Sequence, residues 1–192
     1  MKWKSGIARN VIPAGTLAAA LCVPAALESV FAQPVQPAQP LAAELAALKA
    51  ELEAVRRALP GHAHVMAELD YHFSNLWFAA QEGHWALAEF YLNETRSNLN
   101  WMIRIRPTRR LPSGQDLDLT PVVRAVEEGV LSELRTAIAN KERGEFETAY
   151  YATMEQCYAC HKMAEKPFLR PAIPQAPASR MINMQPDAQW PK

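Results

Sequence analysis

Two thiols three positions apart with a histidine directly behind them, Cys157-Tyr158-Ala159-Cys160-His161, constrain this chain more than any other stretch of it. On a helix, side chains three apart lie on neighbouring parts of one turn, so both sulfurs reach the same object. That spacing suits two thioether bonds to the vinyl groups of one haem. The next residue then sets an imidazole under the iron, where a neutral ring nitrogen is a strong ligand. Cys157, Cys160 and His161 are accordingly read as the attachment and axial residues of one covalent haem c. A thioredoxin-like redox pair is the rival reading of C-x-x-C, but it belongs to a βαβ setting. Zinc fits less well, since no second cysteine pair exists and histidines would have to complete the shell.

The rest of the cysteine usage agrees with this reading. Three cysteines occur in 192 residues, and Cys22 falls in a segment, residues 1–32, that reads as an export signal. Lys2, Lys4 and Arg9 make a basic start, an apolar run extends from Val11 to Phe31, and Val30-Phe31-Ala32 offers cleavage after Ala32. Membrane attachment is expected only if that segment is retained. The mature chain then keeps Cys157 and Cys160 alone, has no disulfide framework, and is expected in the periplasm. Removing Lys2, Lys4, Arg9 and Glu28 from 20 basic and 20 acidic residues leaves a formal charge of about −2. A near-neutral balance without a basic run gives no nucleic-acid footprint.

Helical periodicity organises the chain beyond the export segment. Residues 33–40 form a linker in which Pro34, Pro37 and Pro40 disfavour helix. Leu41, Leu45, Leu48, Leu52, Val55 and Leu59 then recur at alternating spacings of four and three, the seam of a coiled coil. This segment, 41–59, is expected either to self-associate into a homo-oligomer or to pack on its own domain. Pro60-Gly61 ends it, and four amphipathic helices are expected within 60–166. They cover about 62–81 with Val65, Leu69, His72, Leu76 and Ala79 on one face, about 84–105, about 121–139 with Thr120 as N-cap, and about 144 to Pro167. Short connections and no alternating strand pattern favour an all-α, antiparallel four-helix bundle. The Pro-rich tail, 167–192, either stays disordered or lies on the bundle through Phe168, Leu169, Ile173 and Trp190.

A single C-x-x-C-H near the end of the last helix, after the Phe146-x-x-x-Tyr150 approach, resembles the class II c-type cytochromes, the cytochrome c-prime fold. The likeness spans about residues 62–165 and implies attachment roles for Cys157 and Cys160 and the proximal role for His161. The stretches His72-Phe73-Ser74-Asn75-Leu76-Trp77-Phe78-Ala79 and Trp85-Ala86-Leu87-Ala88 also resemble exported monohaem cytochromes of proteobacteria. The 41–59 helix, the long tail and the histidines of the first bundle helix depart from the class II pattern, so the distal face is not carried over.

In an antiparallel bundle the first half of helix one lies level with the end of helix four, which makes His62, His64, Met66 and His72 the candidates for a sixth ligand. His72 is either that ligand or a core histidine bonded to a carbonyl or a haem propionate. Met66 is the alternative, its thioether raising the potential; it is otherwise packing. A five-coordinate iron under Leu69 is the third arrangement. Trp77, Phe78, Trp85, Phe90, Tyr91, Trp101 and Tyr158 read as core packing or as an electron relay. Arg104, Arg106, Arg109 and Arg110 read as a solvated face, a docking patch for an acidic redox partner, or propionate partners.

The functional expectation is a one-electron carrier rather than an enzyme, with ligation, burial and docking as the protein's task. The alternative is a haem protein with an open distal site that binds nitric oxide or carbon monoxide. A peroxidase is the weakest reading, because no distal acid–base pair stands out along the helices.

Overall fold

The amphipathic runs fold as helices in the computed structural model, which describes residues 39–189. In chain order they are α1 (Gln39–Ala58), α2 (His62–Gln81), α3 (Trp85–Ile105), α4 (Thr120–Glu128), α5 (Val130–Asn140) and α6 (Arg143–Met163). Two three-residue strands, β1 (Thr108–Arg110) and β2 (Asp116–Asp118), lie between α3 and α4. Residues 1–32, expected to be an export signal, nearly all of the expected 33–40 linker and Trp190 fall outside the described residues. No helix among the described residues is long and apolar enough to cross a membrane. The chain divides between Ala50 and Glu51 into two units, and the larger holds Cys157, Cys160 and His161.

Local chemistry sets the helix ends. α2 stops where Gly83 takes a φ of +72°, so that the His84 and Gly83 amides cap the carbonyls of Ala79 and Ala80. His84 then caps α3, its Nδ1 accepting the Leu87 amide at 3.2 Å. Pro107 ends α3. The Arg106 guanidinium satisfies carbonyls left open at the end of α1, donating to Leu59 O at 2.7 Å and to Pro60 O at 2.8 Å.

Three expectations are corrected by the structure. The chain is mostly helical but not purely so: Arg109 pairs with Leu117 in an antiparallel ladder closed around Gly114, whose φ is +87°. The helix expected from 121 to 139 breaks at Gly129, where φ −93° and ψ −107° leave the helical region. A Cβ there would stand 3.0 Å from the Ala125 carbonyl oxygen, which is why glycine sits at the break. Beyond the break, Leu131, Leu134, Ala137 and Ile138 are the buried residues of α5. Finally, Thr120 is not the cap of α4: its own amide donates to Asp118 Oδ1 at 2.9 Å, and this bond holds the Asp118 carboxyl below its usual range.

α2 packs on α3, α5 on α6, α3 on α5, and α2 on α6. The last pair is antiparallel with a readable register. The Phe73 and Tyr150 rings stack with centroids 4.2 Å apart, and the Tyr150 hydroxyl donates to the Phe73 carbonyl at 3.0 Å. One turn further along α2, Trp77 meets Phe146 at 6.1 Å, and Gln81 donates to Glu147 at 2.9 Å. The main core is built there from Leu76, Tyr91, Leu92, Leu131, Leu134, Phe146 and Tyr150, all but closed to solvent. A smaller cluster of Val65, Met102, Leu119 and Val123 lies at the Cys160 end.

The tail packs against these helices. Met184 is buried in the main core, Ile173 packs beside it, and the Ser179 amide donates to the buried Asn75 Oδ1 at 3.0 Å. Of the expected anchors, Ile173 serves, whereas Phe168 and Leu169 remain largely exposed.

Candidate functional site

The α2–α6 register continues downward from the aromatic pairs. One to two turns below Phe73 and Tyr150 it sets Leu69 beside Met154 and Met66 beside Cys157. The helices do not close at this level. A cavity of about 470 Å³ opens there, walled by Met66, Leu69, Phe73, Leu99 and Met102 on one side, Val123 and Val126 on another, and Met154, Cys157, Cys160 and His161 on the α6 side. Residues 168–172 of the tail form its rim. Its size falls in the ~300–1,000 Å³ span of small-molecule sites, and its walls are chiefly apolar.

Cys157, Cys160 and His161 thus face one space because three residues at i, i+3 and i+4 share a face of α6. Both cysteines are free thiols. Burial pushes Cys157 up to about 11, with the neighbouring Cys160 adding to the effect. Burial raises Cys160 as well, against an opposing pull from the Arg109 guanidinium. A dithiol tuned for exchange needs a stabilised thiolate; these surroundings disfavour one. Among the described residues, no group of three or more His, Cys, Asp or Glu is arranged to hold a metal ion. The zinc alternative therefore has no shell in these residues.

His161 is oriented. Its Nδ1 lies 2.7 Å from the Leu169 carbonyl oxygen, which can only accept, so Nδ1 carries a proton and, in the neutral ring, the lone pair is on Nε2. An imidazole held in this way by a backbone carbonyl is prepared for metal ligation through its other nitrogen. Tyr158, on the outer side of the same turn, binds the tail: its hydroxyl donates to Pro167 O at 3.1 Å, and Lys162 Nζ stands 4.8 Å over its ring.

No protein-family model, curated protein or solved structure matches this chain. Its function has to be read from its own residues.

The expected distal candidates separate. Met66 lines the cavity with the two cysteines and His161; His72 does not. α2 has two inward faces. Met66, Leu69 and Phe73 turn to the cavity, while His72 turns toward Tyr91 of α3. The His72 ring meets Tyr71 edge-on at 5.1 Å and lies 6.1 Å from Tyr91, and its buried Nδ1 has no partner. His62 contacts the Arg106 carbonyl through Nε2 at 3.0 Å. His64 is exposed and His84 is the α3 cap.

The basic cluster has distinct roles. Arg106 caps α1, Arg110 pairs with Asp116 at 3.2 Å, and Arg104 is exposed. Arg109 alone keeps a buried Nε without a partner, on the side of Cys160 and His62. A buried guanidinium N–H left unsatisfied costs free energy, so a carboxylate brought near it would be strongly held. Sequence reasoning missed the rim: Leu169 is the acceptor of the axial candidate, and nothing in a Pro-rich tail marks one carbonyl as special.

Proposed function

We propose that this chain is an exported monohaem c-type cytochrome and one-electron carrier, with α2, α3, α4–α5 and α6 as a four-helix bundle of the class II kind. The observation that carries the proposal is the state of His161: its Nδ1–H is committed to a carbonyl while Cys157 and Cys160 line the same apolar cavity. In this reading Cys157 and Cys160 hold the haem through thioethers, and His161 Nε2 is the proximal ligand. The group, once bound, supplies an iron that cycles between ferrous and ferric states.

The chain's own residues do the rest. Leu69, Phe73, Leu99 and Val123 exclude water from the ring faces, which keeps reorganisation small and sets the potential through burial. The Leu169 carbonyl fixes the His161 ring and increases its basicity. Arg109 is the partner for a propionate, since its unsatisfied Nε lies on the Cys160 side. Met66, rather than His72, would be the chain's second ligand to the iron, because it alone of the two lines the cavity. Export belongs to the same proposal and rests on the basic start and apolar run of residues 1–32.

A second reading rests on Leu69 and Phe73, which share the Met66 wall and offer no ligand. Were they to cover the iron, the distal side would be open and the protein would bind nitric oxide or carbon monoxide. Absorption spectra of both redox states, with and without carbon monoxide, separate the two. The carrier predicts a six-coordinate spectrum that the gas leaves unchanged, and a Met66→Leu variant that becomes five-coordinate and gas-binding. A wild type that takes up carbon monoxide at once contradicts the carrier.

A further inference from the structure

The cofactor chemistry leaves one feature unused: the apolar seam of α1. Leu41, Leu45, Leu48, Leu52 and Val55 lie along one face of this helix and keep between 49% and 71% of their surface open. Five large aliphatic side chains in one continuous stripe are more than a monomer's scattered surface hydrophobics. Their spacing assigns the heptad: Leu45, Leu52 and Leu59 take a, and Leu41, Leu48 and Val55 take d.

With that register fixed, the charges flanking the seam acquire a pattern. Glu44 and Glu51 occupy g, whereas Lys49 and Arg56 occupy e. Each g carboxylate precedes an e cation by five positions, the separation at which g of one strand meets e′ of another in a parallel pair. Two copies side by side therefore form Glu44–Lys49′ and Glu51–Arg56′, and the same two pairs again across the other flank. An antiparallel pair faces g against g′ and e against e′, setting glutamate on glutamate and Lys49 on Arg56, which the like-charge rule disfavours. The outer positions Ala43, Ala46, Ala47, Ala50 and Ala54 are strong helix formers with nothing to pack, as expected of a solvent face.

We infer that α1 is a dimerisation helix whose occupant is a second copy of this chain, aligned in parallel and in register. Arg56 now pairs with Glu53 on its own helix at 2.7 Å, but both side chains are more than half exposed, so the contact is weak and yields to an interchain partner. Arg106 holds the last carbonyls of α1 and so fixes where the seam ends. The two strands then have their C-terminal ends together at Leu59. The inference is independent of the haem.

Light scattering on the purified exported chain tests it. Wild type is expected at twice the chain mass, falling toward the single mass on dilution, with association weakened by added salt. Leu48→Glu with Leu52→Glu is expected at the single mass, its unfolding temperature and helix content otherwise kept. Two charge variants read orientation: Glu44→Lys with Glu51→Lys, and Lys49→Glu with Arg56→Glu. Each alone should raise the dissociation constant about tenfold, and mixing the two should restore association. A monomeric wild type overturns the inference, as does a mass of three or four chains. Charge variants that associate as well as wild type overturn the parallel alignment, because an antiparallel seam begins with like charges opposed.

Discussion

The two halves of α6 face different interiors. In its first half, Phe146 and Tyr150 are closed in by Phe73, Trp77, Trp85 and Leu134, and aromatic rings fill the space. In its second half, Cys157, Cys160 and His161 face a cavity of about 470 Å³ whose walls are chiefly apolar. One helix thus passes from a packed layer to an open one within three turns. Protein interiors are otherwise packed like organic crystals, so an apolar gap bounded by two thiols and an oriented imidazole reads as room kept for a flat hydrophobic group. The upper half holds the helices together, and in the proposed reading the lower half holds the haem.

Substitutions in the two halves should therefore fail differently. Cys157→Ala with Cys160→Ala should remove all covalently held pigment while leaving a folded helical chain, read by absorption and circular dichroism; retained covalent pigment would put the attachment elsewhere. Phe146→Ala, in the filled half, should cost about 3–5 kcal/mol in denaturant unfolding. The same truncation at half-buried Leu69, beside the cavity, should cost about 1 kcal/mol in the haem-free chain. Equal losses at the two positions would erase the contrast. Tyr150→Phe deletes the bond to the Phe73 carbonyl and should cost about 1 kcal/mol by the same measurement, with no change in pigment.

The smallest effect is one of pH. Burial lowers His62 below 6.5, with the Arg109 and Arg106 charges adding to it against the Arg106 carbonyl. Between its folded value and 6.5 the unfolded chain binds more protons, so stability falls as pH drops below 6.5 and levels off beneath the folded value. His62→Gln should flatten that slope in unfolding curves taken from pH 7 to 5. Two carboxyls, Asp118 held low by the Thr120 amide and Glu165 held low by the Ser113 hydroxyl and amide, act in a lower window. Their contribution is present above the ordinary carboxylate range and is lost as pH falls through it. An unchanged slope in the His62 variant would mean that this histidine does not set the pH dependence.

Much of the helical layout was legible because periodicity reports burial. The boundaries of α2 and α3 follow from Gly83 and Pro107, and Val65, Leu76, Ala88 and Leu92 are buried where the 3.6-residue pattern places them. The break at Gly129 was not legible, since one glycine inside an apolar pattern is compatible with an unbroken helix. Nor was the hairpin 108–118, whose strands of three mostly exposed residues are too short for a period of two to stand out. At the site, spacing brought Cys157, Cys160 and His161 to one face. Periodicity could not tell the α3-facing His72 from the cavity-facing Met66, because two inward faces of α2 overlap within one apolar arc. The roles of Leu169 and Met184 depend on how a proline-rich strand lies against helices distant in sequence, and no local pattern encodes that.

The most direct test of haem attachment is the intact mass of the exported chain, made in cells that load a control c-type cytochrome. A monohaem cytochrome predicts a mass exceeding the cleaved polypeptide by one haem, with the pigment retained in acidified organic solvent. A chain at the bare polypeptide mass with two titratable thiols, purified beside a fully loaded control, would contradict it.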